Sequence, residues 1–373
     1  MAAGEPGPGG DRPAPEEDPG EDPGEFRAED AFDAGAVGAW LTDRVFGLGG
    51  AGAPPVVRQF AGGASNLTYL LVFPDRELVL RRPPAGARTG TAHDVAREYH
   101  LQRRLRPHFA YVPAVVGLCE DESVIGSPFY VMERIDGVVP RAEMPAAIGT
   151  APAGMAGLAD RFVGVLAELH AIDVDAAGLA DLGRGPGYVE RQVGQWTQRF
   201  RRVRTENVPD FEEVIGWLAA HRPDDCGRCV IHNDFRLDNL VLDPADPLRV
   251  RGVLDWELAT VGDPLMDLGS SLAYWVEAGD GPVARRLKRQ PTDLPGFPTR
   301  AEIVRRYGEL TGRDVGGWAF YEAFGLFRVA VIAQQIYRRY LDGGTTNPAF
   351  RDFWVWVGAA HGRARAVIDD AGG

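Results

Sequence analysis

Four side chains between positions 232 and 255 are of the types that move a phosphoryl group. The chain reads Val-Ile-His-Asn-Asp-Phe-Arg-Leu-Asp-Asn-Leu-Val-Leu from Val230 to Leu242, and Val-Arg-Gly-Val-Leu-Asp-Trp-Glu-Leu-Ala-Thr-Val-Gly-Asp-Pro from Val250 to Pro264. Asp234 offers a carboxylate able to accept a hydroxyl proton. Asn239, five residues later, and Asp255 offer hard oxygens suited to Mg²⁺. Transfer from a nucleotide asks for little more, because the protein mainly positions the acceptor and neutralises phosphate charge. Arg236, two residues after Asp234, is within reach of the acceptor, of the transferred phosphoryl group, or of the loop it would brace. Singly, Asp234 and Asp255 read as turn residues at strand ends; as a set with Asn239 they read as a site.

Short elements must hold these groups. Two apolar, β-branched runs, Val230-Ile231 and Leu240-Val241-Leu242, bracket the polar loop, and a third, Val250 to Leu254, ends on Asp255. His232, Asp234 and Asn239 resemble the His-x-Asp-x-x-x-x-Asn catalytic loop of the kinase-like aminoglycoside phosphotransferase superfamily, and Asp255 resembles its metal-binding aspartate. The resemblance implies ATP and Mg²⁺ as cofactors, with His232, Asp234 and Arg236 on the catalytic side. It also implies an α+β, protein-kinase-like two-lobe fold with a small antiparallel-sheet N-lobe and a larger, mainly helical C-lobe. Protein kinases continue with Asp-Phe-Gly, an activation segment and Ala-Pro-Glu. Here Asp255 leads directly into Trp-Glu-Leu-Ala-Thr, the short continuation of small-molecule kinases.

Upstream, Val56 to Phe60, Leu67 to Phe73 and Leu78 to Arg81 predict antiparallel strands. Between the first two, the turn containing Gly63, Ser65 and Asn66 would let backbone amides approach a phosphate. Arg81 stands at a strand end where most kinases carry the lysine that touches the α- and β-phosphates. Arginine keeps the charge and adds a planar fork, and Arg82 next door is the alternative contact. Glu98, on a helix predicted over Asp94 to Leu105, would orient Arg81. Strands over Ala114–Leu118 and Pro128–Met132 lead to Glu133 and Ile135, the expected hinge whose backbone would bind adenine. The expected division is an acidic disordered tail over 1–28, a nucleotide-binding N-lobe over 29–135, and a catalytic, acceptor-binding C-lobe over 136–373.

In the C-lobe, Met155 to His170 predicts a core helix with a structural His170, and Trp318 to Leu341 the longest helix. Tyr188 to Arg204 carries Val189, Val193, Trp196, Phe200 and Val203 on one stripe, with Arg191, Arg199 and Arg202 off it. These arginines are either solvated or a face that attracts an anionic acceptor. Asp263 and Asp267 are expected to brace the catalytic loop or cap the next helix. Gly187 to Val193 and Asp255 to Thr260 are most similar to the kinase-like domain fused in some proteins to acyl-CoA dehydrogenases, a branch linked to hydroxyacyl-CoA phosphorylation. That likeness implies a 4-hydroxyacyl-CoA or similar anionic hydroxyl acceptor. An antibiotic phosphotransferase of the aminoglycoside or macrolide type and a nucleotide-binding pseudokinase are the alternatives.

Composition narrows the class. The formal net charge of -13 is concentrated at one end, because Met1 to Asp30 holds ten acidic residues against two basic ones. The remainder is only mildly acidic, with no basic surface suited to nucleic acid. No apolar run approaches a membrane span, and three cysteines argue against a disulfide framework. Cys226-x-x-Cys229 lacks further zinc ligands and precedes a strand rather than opening a helix, so it is read as incidental. A cytoplasmic small-molecule kinase is the expectation.

Overall fold

The computed structural model describes residues 23–27, 30–42, 44–45, 54–60, 66–84, 94–345 and 347–372. Helix α1 (Ala34–Thr42) precedes strands β1 (Val56–Gln59), β2 (Leu67–Val72) and β3 (Glu77–Arg82), helix α2 (Val95–Leu105), and strands β4 (Val115–Cys119) and β5 (Phe129–Glu133). These strands form one antiparallel sheet in the order β1-β2-β3-β5-β4. Strand alternation divides its faces. Tyr69, Leu71, Leu78, Leu80, Phe129 and Val131 pack with Val37 and Leu41 of α1, while Leu70, Val79, Tyr130 and Met132 pack with Val95 of α2.

That alternation separates the two candidate arginines. Arg81 lies opposite Thr68 and Tyr130, on the α2 face. Arg82 turns to the other face, where it donates to Tyr69 Oη at 3.1 Å and to the Asp30 carbonyl at 2.6 Å. Of the two, Arg81 shares the α2 face with Glu98.

Within the tail expected over 1–28, residues 23–27 make contacts with the N-lobe sheet. Gly24 bridges Gln59, the Arg27 amide donates to Gln59 Oε1 at 3.1 Å, and the Phe26 ring packs edge-on against Phe32 and Tyr69 at 5.0 and 5.6 Å. Burying that aromatic offsets the cost of ordering a Gly- and Glu-rich strand. Residues 1–22 lie outside the described residues.

The C-lobe follows as α3 (Pro152–His170), α4 (Tyr188–Val203), α5 (Glu212–Ala220), β6 (Cys229–Ile231), β7 (Leu240–Asp243), β8 (Asp246–Val253), β9 (Thr260–Gly262), α6 (Pro264–Leu272), α7 (Pro282–Arg286), α8 (Arg300–Thr311), α9 (Trp318–Leu341) and α10 (Phe353–Gly372). Two short antiparallel pairs, β6 with β9 and β7 with β8, stand on one large apolar core that includes Phe162, Phe200, Phe235, Trp256, Trp275 and Phe327. Helices α6 and α9 cross at Gly269 and Gly325, where a Cβ on either would strike backbone of the other helix. This close approach sets α9 beneath the β6–β7 loop. Among the described residues, no helix is long and apolar enough to cross a membrane.

Candidate active site

The catalytic-loop candidates leave β6 and return through a 3-10 turn, Leu237–Asn239, into β7. Asp267, wholly buried at the start of α6, receives the loop: Oδ2 accepts from the His232 amide and Oδ1 from the Asn233 amide, both at 2.7 Å. His170 Nε2 contacts the same carboxylate at 3.1 Å, while its Nδ1 meets Tyr307 Oη at 2.7 Å. Burial alone would raise Asp267, yet the His170 contact and the His232 amide hydrogen bond lower it below its usual range. Asp263 does the other job foreseen for the pair, capping α6 through the Leu265 and Met266 amides at 2.9 and 3.0 Å.

His232 is fully buried and does not reach the cleft. Its Nε2 faces the Leu254 carbonyl at 2.9 Å, and its Nδ1 accepts from the Asp234 amide at 3.3 Å. A carbonyl only accepts and an amide only donates, so these contacts suit the tautomer with its hydrogen on Nε2. In this position His232 braces the loop from beneath. It ties the loop to the strand that delivers Asp255, as does the Leu254 amide bonded to the Asn239 carbonyl at 2.8 Å.

Asn233 and Asp255 both adopt left-handed backbone at φ 65°. Non-glycine residues there cost energy and persist only when surroundings over-determine them. Asn233 has such surroundings: Tyr188 Oη donates to its Oδ1 at 3.1 Å, its Nδ2 donates to Leu258 O at 3.0 Å, and Arg328 Nη2 donates to its carbonyl at 2.7 Å.

Asp234 projects from this braced loop with its side chain 16% exposed, paired with Arg236 at 3.2 Å. Asn239 Nδ2 donates to the Asp234 carbonyl at 2.8 Å and to Oδ2 at 3.3 Å, which leaves the Asn239 amide oxygen as its end available to a cation. Arg236 also pairs with buried Asp238 at 3.1 Å, and its guanidinium lies 4.6 Å from the Tyr274 ring centre. Burial lowers the Arg236 guanidinium, but Asp234 and Asp238 outweigh it and raise it above its usual value. Of the roles open to Arg236, the structure shows the bracing one.

Across the cleft, Arg81 Nη1 donates to Glu98 Oε1 at 2.7 Å, and both side chains are buried. Burial pushes the Glu98 carboxyl up, an effect that Arg81 opposes. Arg81 Nη2 also reaches Asp255 at 3.3 Å and Glu257 at 3.4 Å. Asn66 Nδ2 contacts the same Glu257 carboxylate at 3.4 Å, while Gly63 and Ser65 lie outside the described residues. Exposed Glu133 holds the end of β5 through its amide bond to Ala114 O at 2.8 Å. The Ile135 side chain packs onto Gly252.

Residues 56–303 match the phosphotransferase enzyme family. The chain belongs to that family. Its sequence is 38% identical over 296 residues to mouse acyl-CoA dehydrogenase family member 10, a match covering 79% of this chain and 27% of that relative. The chain thus spans about a quarter of that relative's length. The crystal structure of an aminoglycoside phosphotransferase-like protein of Ralstonia eutropha JMP134 superposes with a TM-score of 0.76 at 34% identity, covering 91% of this chain and 99% of the other. The kinase-like fold is shared more widely: aminoglycoside phosphotransferase APH(4)-Ia, in a complex with AMP-PNP and hygromycin B, gives a TM-score of 0.54 at 16% identity, covering 90% and 98%.

For a phosphotransferase, the donor set fits Mg²⁺. Among the described residues no group of three or more His, Cys, Asp or Glu side chains forms a metal cage. Mg²⁺ needs none, since it is commonly held by one or two carboxylates and substrate phosphates. The phosphotransferase also brings in residues that sequence reasoning passed over. Glu257 joins Arg81 and Asn66, two residues after Asp255. Arg328, 4% exposed on α9, touches the loop one residue before Asp234. A lone arginine in the apolar run from Phe324 to Val331 was the signal for it, because arginine is rarely buried without a purpose. Arg191 leaves the expected acceptor wall, its guanidinium being spent on the Pro186 and Gly185 carbonyls.

Proposed function

We propose that this chain transfers the γ-phosphoryl group of ATP to a hydroxyl of a small anionic acceptor, with a hydroxyacyl derivative such as a 4-hydroxyacyl-CoA as the first candidate. The observation that carries the reading is the convergence of Asp234, Asn239 and Asp255 through the Leu254–Asn239 and His232–Leu254 hydrogen bonds. The acceptor oxygen bonds to the γ-phosphorus, the bond from that phosphorus to the ADP oxygen breaks, and Asp234 orients the hydroxyl and takes its proton. Asn239 and Asp255 would hold Mg²⁺, which supplies charge neutralisation on the phosphates when bound. Arg81, oriented by Glu98, binds the nucleotide phosphates, with Asn66, which shares Glu257 with Arg81, beside them. The backbone of Glu133 and Ile135 receives the base.

The curated relative named above supports the acyl-CoA side of this reading, as do arginines near the loop that an aminoglycoside polycation would not favour. Arg81 in place of lysine is the feature that favours a pseudokinase, but its buried pairing with Glu98 keeps the basic–acidic pair on which the kinase reading rests. The deciding experiment incubates the protein with ATP and Mg²⁺ and a panel of hydroxyacyl-CoAs, free hydroxy acids, aminoglycosides and macrolides, with products read by mass spectrometry. A phosphorylated acyl-CoA or hydroxy acid is expected. A phosphorylated aminoglycoside alone overturns the acceptor, and ATP binding with no transfer to any acceptor overturns the reaction.

A further inference from the structure

We propose that Arg328 and Arg199, placed about the indole of Trp196, form a subsite that holds an anionic group of the acceptor, a carboxylate or a phosphate. The proposal deepens the phosphotransferase reading above and rests on it. Arg328 lies 5.2 Å from the Trp196 ring centre and Arg199 lies 4.7 Å from it, so one indole carries two guanidinium groups. Among the described residues neither arginine has a carboxylate partner. Arg328 Nη2 is satisfied by the Asn233 carbonyl, but Nη1 is buried with no hydrogen-bond partner. Holding the loop accounts for one nitrogen. It accounts neither for the other nor for a second cation on the same ring.

A buried guanidinium without a counter-charge is costly, and stacking on an indole offsets only part of that cost. Burial lowers the Arg199 guanidinium, and the charges of Arg328 and Arg202 lower it further, as expected for cations gathered without an anion. The place is right for an acceptor group. Arg328 bonds the carbonyl of the residue before Asp234, and Arg236, paired with Asp234, lies 4.6 Å from the ring centre of half-buried Tyr274. An acceptor whose hydroxyl meets Asp234 would thus present its anionic group to Nη1 of Arg328.

The test compares three acceptors carrying the same hydroxyacyl chain: the CoA thioester, the free acid and a neutral N-acetylcysteamine thioester. Arg199→Gln is expected to raise KM at least tenfold for the anionic acceptors that wild type uses. KM for Mg·ATP and kcat/KM for the neutral thioester should stay within twofold. A loss confined to the free acid identifies a carboxylate site, and one confined to the CoA ester a phosphate site. Arg328→Lys should recover part of what Arg328→Gln loses, and since Arg328→Gln also frees the Asn233 carbonyl, half-buried Arg199 carries the decision. Equal losses on neutral and anionic acceptors, or an unchanged KM in Arg199→Gln, overturn the subsite. If wild type phosphorylates nothing in the panel, the phosphotransferase reading fails separately. The subsite is then judged by inorganic phosphate, which should quench tryptophan fluorescence saturably in wild type and not in Arg199→Gln or Trp196→Phe. No saturable quench overturns it.

Discussion

The two walls of the cleft are held by opposite means. The Asp234 loop is braced inside the C-lobe by buried hydrogen bonds that leave its amides satisfied: Asp267 takes two of them, His232 a third, and His170 and Tyr307 stand behind. The nucleotide wall is held by charge: Arg81 on β3 pairs with Glu98 on α2, and the same guanidinium crosses between lobes to Asp255 and Glu257. The first arrangement is preorganised; under the proposed reaction the second would change when a ligand arrives, because Asp255 would be shared between Arg81 and a cation. In the proposed reaction, acceptor geometry is therefore inherited from the fold, whereas phosphate geometry is completed by the substrate.

The largest expected effect breaks the chemistry without disturbing either wall. Asp234→Asn should lower kcat about 10²- to 10⁴-fold while nucleotide affinity holds, measured by steady-state kinetics beside a binding titration. Normal turnover in this variant would remove Asp234 from its role.

Next comes the braced wall. Asp267→Ala leaves the His232 and Asn233 amides buried and unpaired, and should cost about 3 kcal/mol or more in denaturant unfolding at neutral pH. Because folding lowers the Asp267 carboxyl, its contribution is present above about pH 4 and fades as pH falls below that value, so wild-type and variant stabilities should converge there. A constant difference from pH 7 to pH 3 would contradict the assignment.

The charged wall should yield in a ligand-dependent way. Asp255→Ala is expected to weaken Mg²⁺-nucleotide binding about tenfold or more and to affect nucleotide binding in chelator far less, a contrast readable by calorimetry. Smaller still, Arg81→Ala should raise the nucleotide Kd about tenfold, the loss of one charged hydrogen bond, with Arg81→Lys recovering most of it. Equal Kd values for wild type, Arg81→Ala and Glu98→Ala would exclude the pair from the site.

What sequence could reveal followed from how local each feature is. The Asp234–Asn239 spacing and the strand ends around it are set within a dozen residues, so the loop was legible, as was α9 from Trp318 to Leu341. Arg81 was found by order of elements, but telling its face from that of Arg82 required the β3 register. The bracing contacts of His232 were not legible, because spacing cannot report burial. Glu257 was passed over because its meaning depends on Arg81, 176 positions away. Arg328 meets Asn233 across 95 positions, and the packing of residues 23–27 depends on Gln59.

Arg97, one position before Glu98, reaches across to the Glu257 carbonyl at 3.0 Å and to the Ala259 carbonyl. The helix bearing Glu98 is thereby riveted to the segment that follows Asp255, where protein kinases place a mobile regulatory stretch. A swinging helix is how such kinases are kept silent until signalled; one fastened in this way gives the proposed enzyme a permanently assembled Arg81–Glu98 pair. Its output would then be metered by the arrival of acceptor and nucleotide.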